Sequence, residues 1–230
     1  ELNFTFTLSD PAVVSFDYGV SSEEDCDIFD AVLTEGKTEK ELFSIDGEQS
    51  ESFKSVLEAG SYTLSFKYTK DAGAADGSDL AWIENLKFKK ADVVYMSFVD
   101  KTGTFVKGDD DAHTVLNKTP VYVFDLDKDG KLTVEEAFKA LHETYCATGT
   151  EGYLSSGGYI NRFWGENTYD LSYTVNNKAS MGTTDEIVSG DSIYAYMYRD
   201  ATDYSDIYAY FEPDTANVKT NEKTSFTVKG

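Results

Sequence analysis

The sequence predicts a mainly β protein: a β-sandwich over residues 1–91, then an α+β domain with one main helix over 92–230. Three observations carry this. Aromatic residues make up 14% of the 230-residue chain and Pro occurs only three times, a composition that favours strands. Apolar residues alternate with polar ones through the first 91 positions, as they do where each strand buries one face. The 3.6-residue period of a helix is clear only once, near residue 140.

In chain order, the period-2 segments are Phe4–Leu8, Val14–Val20, Ile28–Leu33, Leu42–Ile45, Phe53–Leu57, Tyr62–Tyr68 and Leu80–Phe88. Between them stand turn residues such as Asp10-Pro11, Glu35-Gly36, Asp46-Gly47 and Ala59-Gly60. Seven strands of this kind make a sandwich, and Trp82, within the alternation of its strand, is expected in the core. From Asp92, Val93 to Val106 read as a hairpin about Lys101-Thr102-Gly103, and Val121–Phe124 as a strand. Val134, Ala137, Phe138, Leu141 and Tyr145 then fall on one helical stripe. Strand signals resume at Ile160–Trp164, Leu171–Val175, Ile193–Tyr198, Ile207–Phe211 and Ser225–Val228. The run Ile193-Tyr194-Ala195-Tyr196-Met197 recurs as Ile207-Tyr208-Ala209-Tyr210-Phe211. It reads as two arms of one hairpin, with the tyrosines on one face, in preference to a ligand platform.

Composition also excludes function classes. Forty-two acids against 20 bases give a net charge of −22, which repels phosphate backbones and anionic membranes, so no nucleic-acid partner is expected. The charge is spread evenly, with 19 acids and 8 bases before residue 92 and 23 and 12 from there on. The longest apolar run, ending at Tyr198, is far short of the roughly 20 residues that cross a bilayer as a helix, so no membrane insertion is expected. Cys26 and Cys146 do not suggest a disulfide framework. No enzyme is expected, because no nucleophile elbow, zinc-protease helix, phosphate-binding Gly loop or Cys-x-x-Cys pair is present. His142 and Cys146 stand four apart on the predicted helix, a spacing better read as packing than as a nucleophile and its base.

One motif carries chemistry. Asp125-Leu126-Asp127-Lys128-Asp129-Gly130-Lys131-Leu132-Thr133-Val134-Glu135-Glu136 matches a twelve-position calcium loop, with acids at positions 1, 3 and 5, Gly at 6, a hydroxyl at 9 and Glu at 12. A hard cation asks for six to eight oxygens. The expected ligands are Asp125, Asp127, Asp129, the Lys131 carbonyl, Thr133 and both oxygens of Glu136, with Leu132 turned inward to anchor the loop. A strand precedes the loop, so the unit is strand–loop–helix and not an EF-hand, and bound Ca2+ is expected to serve rigidity. The acidic stretch Asp71–Asp79 fits no fixed ligand spacing, and Asp109-Asp110-Asp111 reads as a solvated turn.

Several stretches also resemble known families. Phe16-Asp17-Tyr18-Gly19-Val20-Ser21-Ser22-Glu23, Ala59-Gly60-Ser61-Tyr62-Thr63-Leu64, Tyr68-Thr69-Lys70-Asp71 and Asp79-Leu80-Ala81-Trp82-Ile83-Glu84-Asn85 resemble a jelly-roll module akin to MAM or carbohydrate-binding sandwiches of surface proteins in Gram-positive gut bacteria. The second half, through Val121–Asp125, the acidic loop, Phe163-Trp164-Gly165, Tyr173–Asn177, Ser189-Gly190-Asp191 and Tyr204-Ser205-Asp206, resembles an uncharacterised domain of the same proteins similar to the β-grasp domain of transcobalamin. That likeness spans about residues 92–211, and residues 212–230 are either its last strand or the start of a following Ig-like module. Cobalamin binding is not carried over. The resemblance implies an extracellular location at the cell wall or surface. The expected function is that of a non-catalytic, calcium-stabilised adhesion or spacer fragment, monomeric and part of a larger chain. The alternative is a carbohydrate-binding module of a glycan-active protein, with Trp82, Trp164 or exposed Tyr stacking on sugar rings. The expected partners are host or dietary glycans or a host surface protein.

Overall fold

A computed structural model describes every residue except 74, 75, 169, 213, 214 and 222. The chain divides into two compact units, Glu1–Ala91 and Asp92–Gly230.

The first unit contains seven strands: β1 (Leu2–Leu8), β2 (Ala12–Ser21), β3 (Ile28–Glu35), β4 (Thr38–Ile45), β5 (Glu48–Leu57), β6 (Gly60–Thr69) and β7 (Leu80–Lys90). They form two sheets, ordered β1-β6-β3-β4 and β5-β2-β7, and every pairing is antiparallel. One face of each supplies a common apolar cluster: Phe16, Tyr18 and Val20 from one sheet, and Phe29, Ala31, Phe43, Leu64 and Phe66 from the other. Rings meet across it. Tyr18 stacks on Phe43 with centroids 3.8 Å apart, and Phe16 meets Phe66 edge-on at 5.2 Å, contacts worth about 0.5–1.5 kcal/mol each beyond the area they bury. The opposite face of the β1-β6-β3-β4 sheet carries the hydroxyl pairs Thr5–Thr63 at 3.1 Å and Thr7–Ser61 at 3.0 Å.

Trp82 departs from expectation. Its neighbours Ala81 and Ile83 pack on the core, while Trp82 itself is half-buried, opposite Gly19 on the other face. A Cβ on Gly19 would lie 2.5 Å from the indole Cζ2, so glycine is what lets the ring lie against the strand.

The second unit is built on a mixed five-stranded sheet. Its strands are β8 (Asp92–Val99), β9 (Thr119–Val123), β14 (Leu171–Val175), β15 (Lys178–Ala179) and β17 (Ser192–Met197), in the order β15-β14-β17-β8-β9. The central pair β17–β8 is parallel and the others are antiparallel. A parallel pair needs a long crossover, and the chain between β8 and β17 contains the helix α1 (Val134–Tyr145). Val134, Ala137, Phe138 and Leu141 bury their side chains among Val94, Met96, Phe98, Val121, Val123, Ile193 and Ala195. Phe138 meets Phe163 and Tyr173 edge-on at 5.0 and 5.1 Å.

Short pieces complete the unit: β10 (Leu132–Thr133) pairs with β16 (Glu186–Ile187), and β11 (Leu154–Ser156), β12 (Tyr159–Phe163) and β13 (Glu166–Asn167) form a small sheet. Trp164 and Gly165, both at positive φ (+54° and +80°), make the two-residue turn between β12 and β13.

The tyrosine repeat is not a hairpin. β17 pairs with β14 and β8, whereas β18 (Tyr210–Glu212) pairs with β19 (Thr227–Lys229). The facing inferred for the first copy does hold: Ile193 and Ala195 are buried in the core, and Tyr194 and Tyr196 lie on the outer face. The hairpin about Thr102-Gly103 is short, held by Asp100 N–H to Thr104 O and Val106 N–H to Phe98 O.

Candidate metal centre

The acidic loop leaves β9, bends, pairs briefly as β10 and enters α1. Gly130 at φ +89° takes the bend in a region that side chains disfavour. Leu132 packs against the core and ties the loop to the fold. Thr133 is the N-cap: its hydroxyl accepts from Glu136 N–H at 3.3 Å, and Glu136 Oε2 accepts from Thr133 N–H at 2.9 Å, closing a capping box. The neighbouring N–H groups of Val134 and Glu135 donate to the carbonyls of Asp185 (3.1 Å) and Thr183 (2.8 Å). The first turn of the helix is thereby satisfied by residues about fifty positions away.

This scaffold gathers carboxylates. One oxygen from each of Asp125, Asp127 and Glu136 lies within 4.8 Å of the others, a group able to hold a metal ion. Glu136 is buried, Asp125 half-buried and Asp127 exposed. Backbone donors shape the cluster: Leu126 N–H reaches Glu136 Oε1 at 2.6 Å, Gly130 N–H reaches Asp125 Oδ2 at 2.9 Å, and Asp129 N–H bridges Asp125 and Asp127 at 3.2 Å each. Desolvation pushes the Asp125 carboxyl up, but the N–H groups of Gly130, Lys128 and Asp129 outweigh it and hold the group below the usual range, so it is anionic at neutral pH.

Of the six residues expected to bind metal, three bring carboxylates together. Asp129 is exposed and accepts from Lys131 N–H at 2.8 Å. The Lys131 side chain points to Glu186, with which it forms an ion pair. The Thr133 hydroxyl serves the cap and also donates to Glu136 Oε2 at 3.0 Å. The supporting segment 183–187 carries no signal in the sequence, since its contribution is backbone carbonyls, a two-residue pairing and two side-chain contacts to distant residues, Glu186 to Lys131 and Thr183 to Glu135.

Elsewhere the acidic stretches serve structure. Asp110 accepts from the backbone and hydroxyl of Thr114 at 2.9 and 2.7 Å, and Asp109 accepts from Ala147 N–H at 2.8 Å. Asp79 pairs with Lys70 and accepts from Tyr68; positions 74 and 75 of that loop lie outside the described residues. His142 is fully buried and spoken for at both nitrogens: Nδ1 lies 2.7 Å from Phe138 O, and Nε2 accepts from Trp164 N–H at 2.9 Å. That assigns the Nδ1–H tautomer. Burial lowers its pKa to about 4, so it is neutral at physiological pH. Cys146, the C-cap of α1, contacts Thr148 Oγ1 at 3.3 Å, and both cysteines are free.

No family model matches the chain, and neither does any curated protein or solved structure.

Proposed function

We propose that the chain is a non-catalytic, extracellular fragment of a cell-surface protein, an adhesion or spacer element whose second unit is clasped by calcium. The observation that carries this is the meeting of Asp125, Asp127 and Glu136 at the entry to α1. Among the described residues only oxygen ligands converge there, which suits a hard cation, and the twelve-position spacing favours Ca2+ over the smaller and more demanding Mg2+. The ion would cancel the mutual repulsion of three carboxylates and join the end of β9 to the start of α1, stiffening the strand–helix junction. Extracellular fluid supplies calcium freely, and an even acidic surface suits a solvated external module.

On this reading the first unit is a jelly-roll-like sandwich, supported by its two antiparallel sheets and shared core. The second is β-grasp-like, supported by the order β14-β17-β8-β9 with its inner pair parallel and a helix on the crossover.

The test is thermal unfolding of the chain in chelator and then in calcium, followed through Trp164 for the second unit and Trp82 for the first. Calcium at about a hundredfold excess over its Kd should stabilise the second unit by about 2.7 kcal/mol. Asp125→Asn should abolish that gain. Identical Trp164 transitions with and without calcium would overturn the proposal.

A further inference from the structure

The outer face of the second unit's sheet holds a feature that the calcium reading leaves unused. Thr174, Tyr194 and Ser97 stand side by side across three strands, since Thr174 pairs with Tyr194 and Tyr194 with Ser97. They face away from the core that Ile193 and Ala195 enter. Above them is a pocket of about 420 Å³, within the usual range for small-molecule sites of about 300–1,000 Å³. Tyr208 and Tyr210, from the second copy of the tyrosine repeat, form part of its wall, and Asn176 and Asn177 line it too. Tyr208 packs 5.0 Å from Tyr194 and lies nearly parallel to Tyr196 and Tyr210, at 5.9 and 5.8 Å. Its hydroxyl is fixed by donation to Asn177 Oδ1 at 2.6 Å.

Two observations say what would fit. In a chain with 42 acidic residues, no Asp or Glu among the described residues lines this pocket, and Lys118 is the one charged residue among them that does. Among the described residues a metal ion finds no carboxylate there, and a polyanion finds a single cation on a protein of net charge −22. What remains is aromatic faces beside hydroxyls and amides. That combination matches a pyranose, which offers C–H groups to a ring face and hydroxyls at its rim. Secondly, Thr174 is buried at the floor, and its Oγ1 has no hydrogen-bond partner among the described residues. Buried hydroxyls normally have one, and this oxygen is nearly closed to solvent, so a ligand hydroxyl meets it once the side chains covering it shift.

We propose that this pocket binds a short neutral oligosaccharide, stacked against Tyr194 and Tyr208 and hydrogen-bonded by Thr174, Asn176 and Asn177. The site goes beyond the calcium reading and stands on different residues. It also gives the repeated tyrosine motif a role, since its two copies meet here without pairing as strands.

The test uses the full chain, 15N-labelled, titrated by NMR with cellotetraose, maltotetraose and the tetramer of N-acetylglucosamine, and with tetragalacturonate as the charged control. At least one neutral sugar should move the amides of Ser97, Asn176 and Asn177 saturably. Tyr194→Ala and Tyr208→Ala should each weaken that binding about tenfold, or ~1.4 kcal/mol. Trp82→Phe should leave it unchanged. Thermal melts check that the variants fold, and Asn177→Ala, at an exposed position, serves as a milder third variant with a few-fold loss. The proposal is overturned if no neutral sugar moves these amides at millimolar concentration, if the shifts gather around Trp82, or if tetragalacturonate alone binds. Repeating the titration in chelator separates the two readings: binding that persists without calcium leaves this site standing even if the metal proposal fails.

Discussion

In the first unit, Tyr18 and Phe43 stack between two antiparallel sheets, and the core is rings against rings; in the second, Phe138 reaches from a helix to meet Phe163 and Tyr173 edge-on. The first unit holds its rings by long strand pairing, seven to ten residues in each register. The second relies on a few polar keystones: the Thr133–Glu136 box where the helix begins, and His142 near its end, which receives the N–H of Trp164. Trp164 sits at φ +54°, a conformation that costs a non-glycine residue roughly 1–2 kcal/mol. The bond to His142 and the ring contacts to His142 and Phe98 help to hold it there. A unit ordered by repeated pairing should lose stability gradually with substitution, whereas one ordered by keystones should be sensitive to pH and to single polar changes.

The largest effect should come from the core. Phe138→Ala should destabilise the second unit by about 3–5 kcal/mol in denaturant titration read through Trp164. Trp82 fluorescence in the same titration would report whether the first unit follows.

The next effect tests the keystone idea directly. His142 ordinarily titrates near 6.5 and is held at about 4 in the folded unit. Its neutral form is the one the fold accepts, so the associated stability is whole above pH 6.5 and falls as pH drops toward 4, where the unfolded chain takes up the proton first. The loss should reach about 3 kcal/mol. The Trp164 transition should therefore weaken from pH 6.5 to 4.5, and His142→Gln should flatten that slope. The first unit contains no histidine and should show no such slope through Trp82. An equal slope in both units would break the comparison.

Gly19→Ala probes the first unit where it is not repetitive. The new Cβ would collide with the indole of Trp82, displacing it into solvent at a cost of about 1–3 kcal/mol and shifting its emission to the red. The smallest change is Thr133→Ala, which opens the capping box and should cost about 1 kcal/mol, measured in chelator so that metal does not contribute.

Much of this was legible locally. The alternation around Phe16, Tyr18 and Val20 and the stripe Val134, Ala137, Phe138, Leu141 each state a period and an inward face, and both occur as read. The spacing of Asp125, Asp127 and Glu136 anticipated carboxylates that do converge. Legibility stopped where local pattern is degenerate. Leu80-Ala81-Trp82-Ile83 is apolar at every position, so period 2 does not say which residues face in, and the structure turns Trp82 outward. The two tyrosine repeats are equally good strands, and nothing within either names its partner.

The sequence by itself determined periods, bends and caps, because these arise from contacts a few residues apart: alternation within a strand, Gly130 at a positive φ, Thr133 with Glu136. Only the tertiary structure decided partners. Trp164 for His142, Asp185 and Thr183 for the helix start, Gly19 beneath Trp82, and Tyr208 over Tyr194 are all chosen by packing between distant segments. The free energy of such a contact belongs to the pair, and neither residue's neighbourhood in the chain encodes it.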